Sequence, residues 1–172
     1  MFLNAVFLID EPRKLGDILS NTETHINKEY QTALFPAVSF GAVKCTRALL
    51  KAGANVNKCD TWGQTPLFFA AEHRSIECTR ILIDHKANVN IKDVFGYTAL
   101  HKAARDGIST VVKMLIKAGA EVDPVHSRLC TPLQITMMYK GLNECGKLLI
   151  NYGAKLENID KSVKIPDWAF EH

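Results

Sequence analysis

The tripeptides Thr32-Ala33-Leu34, Thr65-Pro66-Leu67, Thr98-Ala99-Leu100 and Thr131-Pro132-Leu133 return every 33 residues. A period of that length marks a chain built from repeated supersecondary units. One such unit is too small to bury its own apolar face, so neighbours must stack to make a core. Two further landmarks keep the register. A helix end followed by a small residue recurs as Gly53-Ala54, Lys86-Ala87, Gly119-Ala120 and Gly153-Ala154, spaced 33, 33 and 34. Asn55-Val56-Asn57 and Asn88-Val89-Asn90 become Glu121-Val122-Asp123 and then Lys155-Leu156-Glu157. The one extra residue lies between Leu133 and Gly141.

Within a period the chemistry predicts two short antiparallel helices and a projecting hairpin. Thr at the repeat start is a good N-cap, and Pro66 and Pro132 stand at the first helical position, where a missing N–H is harmless. Helix A has an apolar body such as Leu67-Phe68-Phe69-Ala70-Ala71 and stops near Gly41, Gly107 and Gly141, residues suited to a tight interhelical turn. Helix B carries apolar residues at helical spacing: Cys45, Ala48 and Leu49, then Cys78, Ile81 and Leu82, then Val111, Met114 and Leu115, then Cys145, Leu148 and Leu149. Gly at 53, 119 and 153 can take the left-handed conformation that ends a helix.

These residues resemble the ankyrin-repeat family, whose pattern runs D-x-x-G-x-T-P-L-H-x-A-A and then a helix closing on L-L-x-x-G-A-x-V-N. Asp93-Val94-Phe95-Gly96-Tyr97-Thr98-Ala99-Leu100-His101-Lys102-Ala103-Ala104 matches it almost throughout. The resemblance implies an all-α repeat solenoid of helix-turn-helix pairs with β-hairpin fingers, holding about four full repeats between degenerate terminal caps. Residues 1–172 then form a single domain, with a capping repeat at 1–27, repeats at 28–57, 58–90, 91–123 and 124–157, and an incomplete repeat or cap at 158–172. The first hairpin is shortened, Asn27 to Thr32 being three residues tighter than Asn57 to Thr65. In repeat two Arg74 stands where the interhelical Gly belongs and Lys86 where the helix-ending Gly belongs. Leu129 takes the hairpin Gly position of repeat four.

The remaining chemistry narrows the function classes. Hydrophobic residues make up 47% and charged residues 23%, so a chain of 172 residues buries a core without metal or disulfides. A net charge of +3, evenly spread, gives no basic stripe for nucleic acid or anionic membrane. The nearly apolar run at 1–9 lacks a basic flank and the length to span a bilayer. Cysteines at 45, 59, 78, 130 and 145 show no metal spacing, and with no N-x-Ser/Thr sequon the reading is of reduced thiols inside a cell, in cytoplasm or nucleus. No phosphate loop, nucleophile elbow or zinc-protease motif occurs, and the six histidines are scattered. No catalytic residue, metal ligand or cofactor is therefore assigned. His101, in the T-P-L-H register, is expected to bond the Thr98 hydroxyl. Cys45, Cys78 and Cys145 share a position that Val111 fills in repeat three, so they are read as core.

Function is then sought on the concave face that such stacks form from fingers and helix A. The family's variable surface positions, projected onto this sequence, select Tyr30, Phe40, Trp62, Gln64, His73, Phe95, Tyr97, Arg105, Arg128 and Tyr139. Aromatic residues and Arg are the types enriched at interface hot spots, and the fingers bearing Trp62, Phe95, Tyr97 and Arg128 make the strongest patch. The implied role is a non-catalytic, monomeric protein-interaction module, with another protein as partner and neither nucleic acid nor membrane. The alternative is the substrate-recognition subunit of a ubiquitin ligase, with the suppressor-of-cytokine-signalling box of such ankyrin proteins missing from this chain. The resemblance also marks Asn57 and Asn90 as candidates for hydroxylation, each with Leu eight residues earlier, at Leu49 and Leu82.

Overall fold

A computed structural model describes residues 26–125, 130–139, 143–159 and 165–170, with the backbone alone at 26–32, 143, 158, 168 and 170. Its helices come in pairs: α1 (Ile26–Ser39) with α2 (Val43–Lys51), α3 (Pro66–Glu72) with α4 (Ile76–Asp84), α5 (Ala99–Arg105) with α6 (Ser109–Lys117), and α7 (Pro132–Met138) with α8 (Asn143–Asn151). Two single 3-10 turns follow, Leu156–Asn158 and Asp167–Phe170. No strand forms among the described residues, so the fold is an all-α repeat.

The described residues divide into two compact units. The first holds those up to Cys59 together with Thr65–Ala87, and the second holds Asp60–Gln64 and those from Asn88 onward. In the first, α1 packs on α2 and α3, and α4 on α2 and α3. Its core includes Leu34, Val38, Leu49, Leu67, Phe68, Ile81 and Leu82, all almost without solvent exposure. In the second, α5 packs on α6 and α7, α8 on α6 and α7, and the Asp167–Phe170 turn on α8. Leu100, Val111, Leu115, Leu133 and Leu149 fill that interior. Cys45, Cys78 and Cys145 are buried in these cores, as expected of small hydrophobes.

Helix starts follow the cap chemistry. The Thr65 and Thr131 hydroxyls each accept a backbone N–H three residues on, from Phe68 and Gln134, at 3.3 Å. At α5 the cap is reciprocal: the Thr98 N–H donates to His101 Nδ1 at 3.0 Å, and the Thr98 hydroxyl lies 3.0 Å from the same nitrogen. His101 Nε2 sits 3.4 Å from the Cys130 carbonyl, so the fully buried imidazole is held in its Nε2–H tautomer.

Helix ends share one device. At Gly53 the N–H reaches the Leu50 carbonyl and the Ala54 N–H reaches that of Leu49, the paired bonds of a Schellman motif. The same pair closes α6 at Gly119 and Ala120, and α8 at Gly153 and Ala154. It also closes α1 at Gly41 and Ala42, and α5 at Gly107 and Ile108. The motif needs a left-handed residue, and these glycines have φ between +64° and +94°. Repeat two forms the same turns without glycine: Arg74 stands at φ +57° and Lys86 at φ +64°.

Two readings change and a third is narrowed. The shortened hairpin between Asn27 and Thr32 is absent, because α1 runs through it from Ile26. That stretch has no Gly and no Asp-x-x-Gly to close a finger, while Lys28, Glu29 and Gln31 favour helix. Thr32 is thus an interior residue rather than a cap. Phe69, counted in the helix A core, is only half-buried. The extra residue of repeat four falls after α7, where Tyr139 is extended (φ −110°, ψ 126°) although His73 and Asp106 in the same register stay near ψ 14° and 4°. Gly141 and Leu129 lie outside the described residues.

A β-carbon in the left-handed region costs about 1 kcal/mol. Arg74→Gly and Lys86→Gly are each expected to raise the melting temperature by roughly 2–4 °C, read by thermal unfolding under circular dichroism. No rise in either variant would mean that the turn relaxes in solution.

Candidate functional site

Two fingers in the second unit are built from identical parts. The Asp60 carboxylate accepts from the backbone N–H of Trp62 and of Gln64, both at 2.8 Å, while its own N–H donates to the Gln64 carbonyl at 3.0 Å. Thirty-three residues on, Asp93 accepts from Phe95 at 2.9 Å and Tyr97 at 2.8 Å, and donates to the Tyr97 carbonyl at 2.8 Å. Each carboxylate thus closes its own turn by the local bonding that makes Asp a turn residue. Gly63 (φ +77°) and Gly96 (φ +84°) complete the reversal. The expected β-hairpins are thus turn-closed loops in the described residues.

The fingers are locked together at their tips. The Val94 N–H donates to the Trp62 carbonyl at 2.9 Å. A β-carbon on Gly63 would lie 3.3 Å from the Asp93 Cα and the Val94 nitrogen, so any side chain there would crowd the neighbouring backbone as well as strain its own φ of +77°. Trp62 and Phe95 stack with centroids 6.2 Å apart and planes 20° apart. Such a pair contributes about 0.5–1.5 kcal/mol beyond its buried area, yet Trp62 stays 57% and Phe95 49% exposed. The stack therefore stiffens the fingers and still presents an aromatic surface, extended by exposed Val94.

The other expected residues are sorted by their surroundings. Tyr97 is half-buried, its ring meeting the His101 imidazole edge-on at 5.5 Å with the Lys102 ammonium 5.7 Å from its centroid. Arg105 forks onto neighbouring Asp106 (2.9 and 3.3 Å), which offsets its charge. Gln64 is half-buried in its finger, and Tyr139 is exposed beside exposed Met138. In the first unit, Phe40 is exposed after α1, and His73 is exposed at the end of α3. His73 stacks on Phe69 at 6.3 Å, and Phe69 meets Phe35 edge-on at 5.3 Å. Sequence reasoning missed Phe35, Phe69 and Lys102. Phe69 and Lys102 each lie four residues after a repeat Thr, a register whose mixed occupants, Phe69, Lys102 and Ile135, are the available signal that it is not uniformly core. Arg128 and the Tyr30 side chain lie outside the described residues.

The two hydroxylation candidates occupy hairpin registers. Asn90 Nδ2 donates to the Gly119 carbonyl at 3.0 Å and Oδ1 accepts from the Glu121 N–H at 2.8 Å, so its amide fastens one turn to the next. Asp123 repeats the role with a carboxylate, accepting from the Lys155 N–H at 3.0 Å. The Asn57 N–H donates to the Asn55 side chain at 2.9 Å.

The thiols are quiet. Burial pushes Cys145 up to about 11, the Glu144 charge adding to it. Burial also raises Cys78; the Thr46 hydrogen bond offsets part of this and the Glu77 charge adds to it. Cys59 and Cys130 are half-buried, and the Cys59 thiol donates to the Asn57 carbonyl at 3.6 Å. Among the described residues no cluster of three His, Cys, Asp or Glu could hold a metal, and no helix is long and apolar enough to cross a membrane.

The family model described as ankyrin repeats, in three copies, matches residues 7–93 and 88–160. Comparison with curated proteins finds no match.

Asp93 is buried and satisfies two finger amides, so Asp93→Ala should cost about 2–3 kcal/mol in denaturant unfolding and collapse the near-ultraviolet signal of the Trp62–Phe95 stack, with partial rescue by Asp93→Asn. A second expectation concerns alkaline pH. The Cys145 thiol loses its proton near 9 when unfolded and only near 11 when folded. Stability is therefore flat below pH 9 on this account and falls as pH rises toward 11. Denaturant midpoints between pH 8 and 10.5 should decline less steeply in Cys145→Ala than in the unsubstituted chain.

Proposed function

The chain belongs to the ankyrin-repeat family, whose repeats are generally protein–protein interaction modules, and from that premise we propose that it holds a protein partner through its fingers and helix A surface without catalysing a reaction on it. The observation that carries this reading is the Trp62–Phe95 pair, two large aromatics half exposed on fingers already closed by Asp60 and Asp93. Large side chains held on a rigid backbone lose little freedom on binding, so more of the contact energy appears as affinity. Gln64, Tyr97, Arg105 and Tyr139 in the second unit and Phe40 and His73 in the first are the further contacts assigned here, as are Tyr30 and Arg128. Lys102 joins them because it stands over Tyr97.

The partner is a protein; nucleic acid and membrane are not assigned as ligands. The outer charges of helix B favour that choice. Lys44 and Lys51 on α2 stand in register with Glu77 and Asp84 on α4, so two of the three basic positions of one helix, Arg47 excepted, become acidic on the next and dilute the positive charge that polyanions require. The reading is of a monomer acting inside the cell, in cytoplasm or nucleus. Asn57 and Asn90 remain the proposed hydroxylation positions, an added oxygen on Asn90 being detectable by intact and peptide mass analysis of protein purified from cells.

The test is quantitative affinity purification from the cells of origin, comparing the chain with its Trp62→Ala and Phe95→Ala variants after circular dichroism shows each folded. A partner held on the fingers should be lost from both variants, and its affinity measured with purified protein should fall by roughly 2 kcal/mol or more, about 30-fold. Identical prey from all three would move the site off the fingers. Ligase subunits that persist in every purification would support the ubiquitin-ligase receptor reading.

A further inference from the structure

Helix α4 in the first unit carries three local penalties that α2 and α6 lack. It is entered through Arg74 at φ +57°, where α2 and α6 are entered through Gly41 and Gly107. It is left through Lys86 at φ +64°, where α2, α6 and α8 are left through Gly53, Gly119 and Gly153. Its last turn holds Asp84 and no basic residue, whereas α2 ends on Lys51 and α6 on Lys117. A carboxylate at a helix C-terminus faces the negative end of the helix dipole, and a cation there is favoured.

What holds α4 down is one local cap and a few contacts to the preceding helix pair. Ser75 Oγ donates to the Val38 carbonyl at 2.8 Å, His85 Nδ1 donates to the Ile81 carbonyl at 2.8 Å and caps the last turn, and Thr46 Oγ1 lies 3.5 Å from the Cys78 sulfur. Its apolar stripe of Cys78, Ile81 and Leu82 is fully buried, so folding favours the closed state. The strain at both ends is relieved only when the segment between them lets go. Strain confined to the two ends of one element lowers the free energy of opening that element by its full amount and leaves elements that open without relieving it unaffected.

We propose that the segment from Arg74 to Lys86 is a built-in conformational hatch. It opens as a unit, ahead of the other helices, and transiently exposes the Cys78, Ile81 and Leu82 stripe. This does not depend on where a partner binds.

Native-state hydrogen exchange of the full chain, read by mass spectrometry of its peptides, tests it. Amides of α4 should exchange at least tenfold faster than those of α6 after correction for sequence, one strained residue being worth about fivefold and the two together about 30-fold. In the Arg74→Gly, Lys86→Gly double variant, α4 exchange should slow by roughly tenfold or more while α6 changes less than threefold. Alkylation of native protein by iodoacetamide gives an independent reading, with Cys78 reacting faster than equally buried Cys145 and the double variant removing the difference. Equal exchange in α4 and α6 overturns the proposal, as does slowing of both helices alike in the double variant. An unchanged α4 rate in that variant overturns it too.

Discussion

The first three helix pairs each reverse direction through a residue with positive φ, and the rest of the structure depends on this constraint. The left-handed residue lets the last carbonyls of one helix be satisfied by the next two amides, so the chain turns within a few residues and returns antiparallel. Every positive-φ residue in the described chain falls in one of three registers: the interhelical turn (41, 74, 107), the end of helix B (53, 86, 119, 153) or the finger (63, 96). Stacking follows, because reversals of equal geometry bring apolar stripes of equal spacing face to face. Glycine fills all but two of these positions. At those two the backbone keeps its shape and the strain is stored in the chain.

Much of this was legible in the sequence because the period repeats the reasons as well as the residues. A Thr that caps, a Pro that tolerates the first turn and a Gly that turns left have the same consequences each time they recur. The left-handed geometry of Arg74 and Lys86 follows from their register alone. The continuous helix from Ile26 was not legible, since expecting a finger there extended a rule past the residues that enforce it. Asn27 to Gln31 contain neither the aspartate nor the glycine that closes Asp60–Gln64.

The candidate site was legible in type and less so in detail. Exposed aromatics on fingers follow from register, and Trp62 and Phe95 stand where expected. Which aromatics are spoken for by neighbours depends on side-chain directions that a linear pattern does not carry. Tyr97 lies against His101 and Lys102, Arg105 is forked onto Asp106, and Phe69 leaves the core to join Phe35 and His73. Apart from Phe35–Phe69, which spans a repeat, these are near neighbours in sequence, where spacing allows a contact and the rotamer decides whether it is made.

The finger carboxylates separate two duties that share a few residues. Asp60 and Asp93 bond only to backbone amides, so the side chain at the tip, Trp62 in one loop and Phe95 in the next, contributes nothing to closing the turn that holds it. A tip that is not needed to close its own loop is free to drift, at the cost only of the stack between neighbouring tips. Substitution at 62 or 95 can change what the surface recognises while the carboxylate keeps the loop shut, so ligand preference in such a chain can evolve one residue at a time without passing through unfolded intermediates.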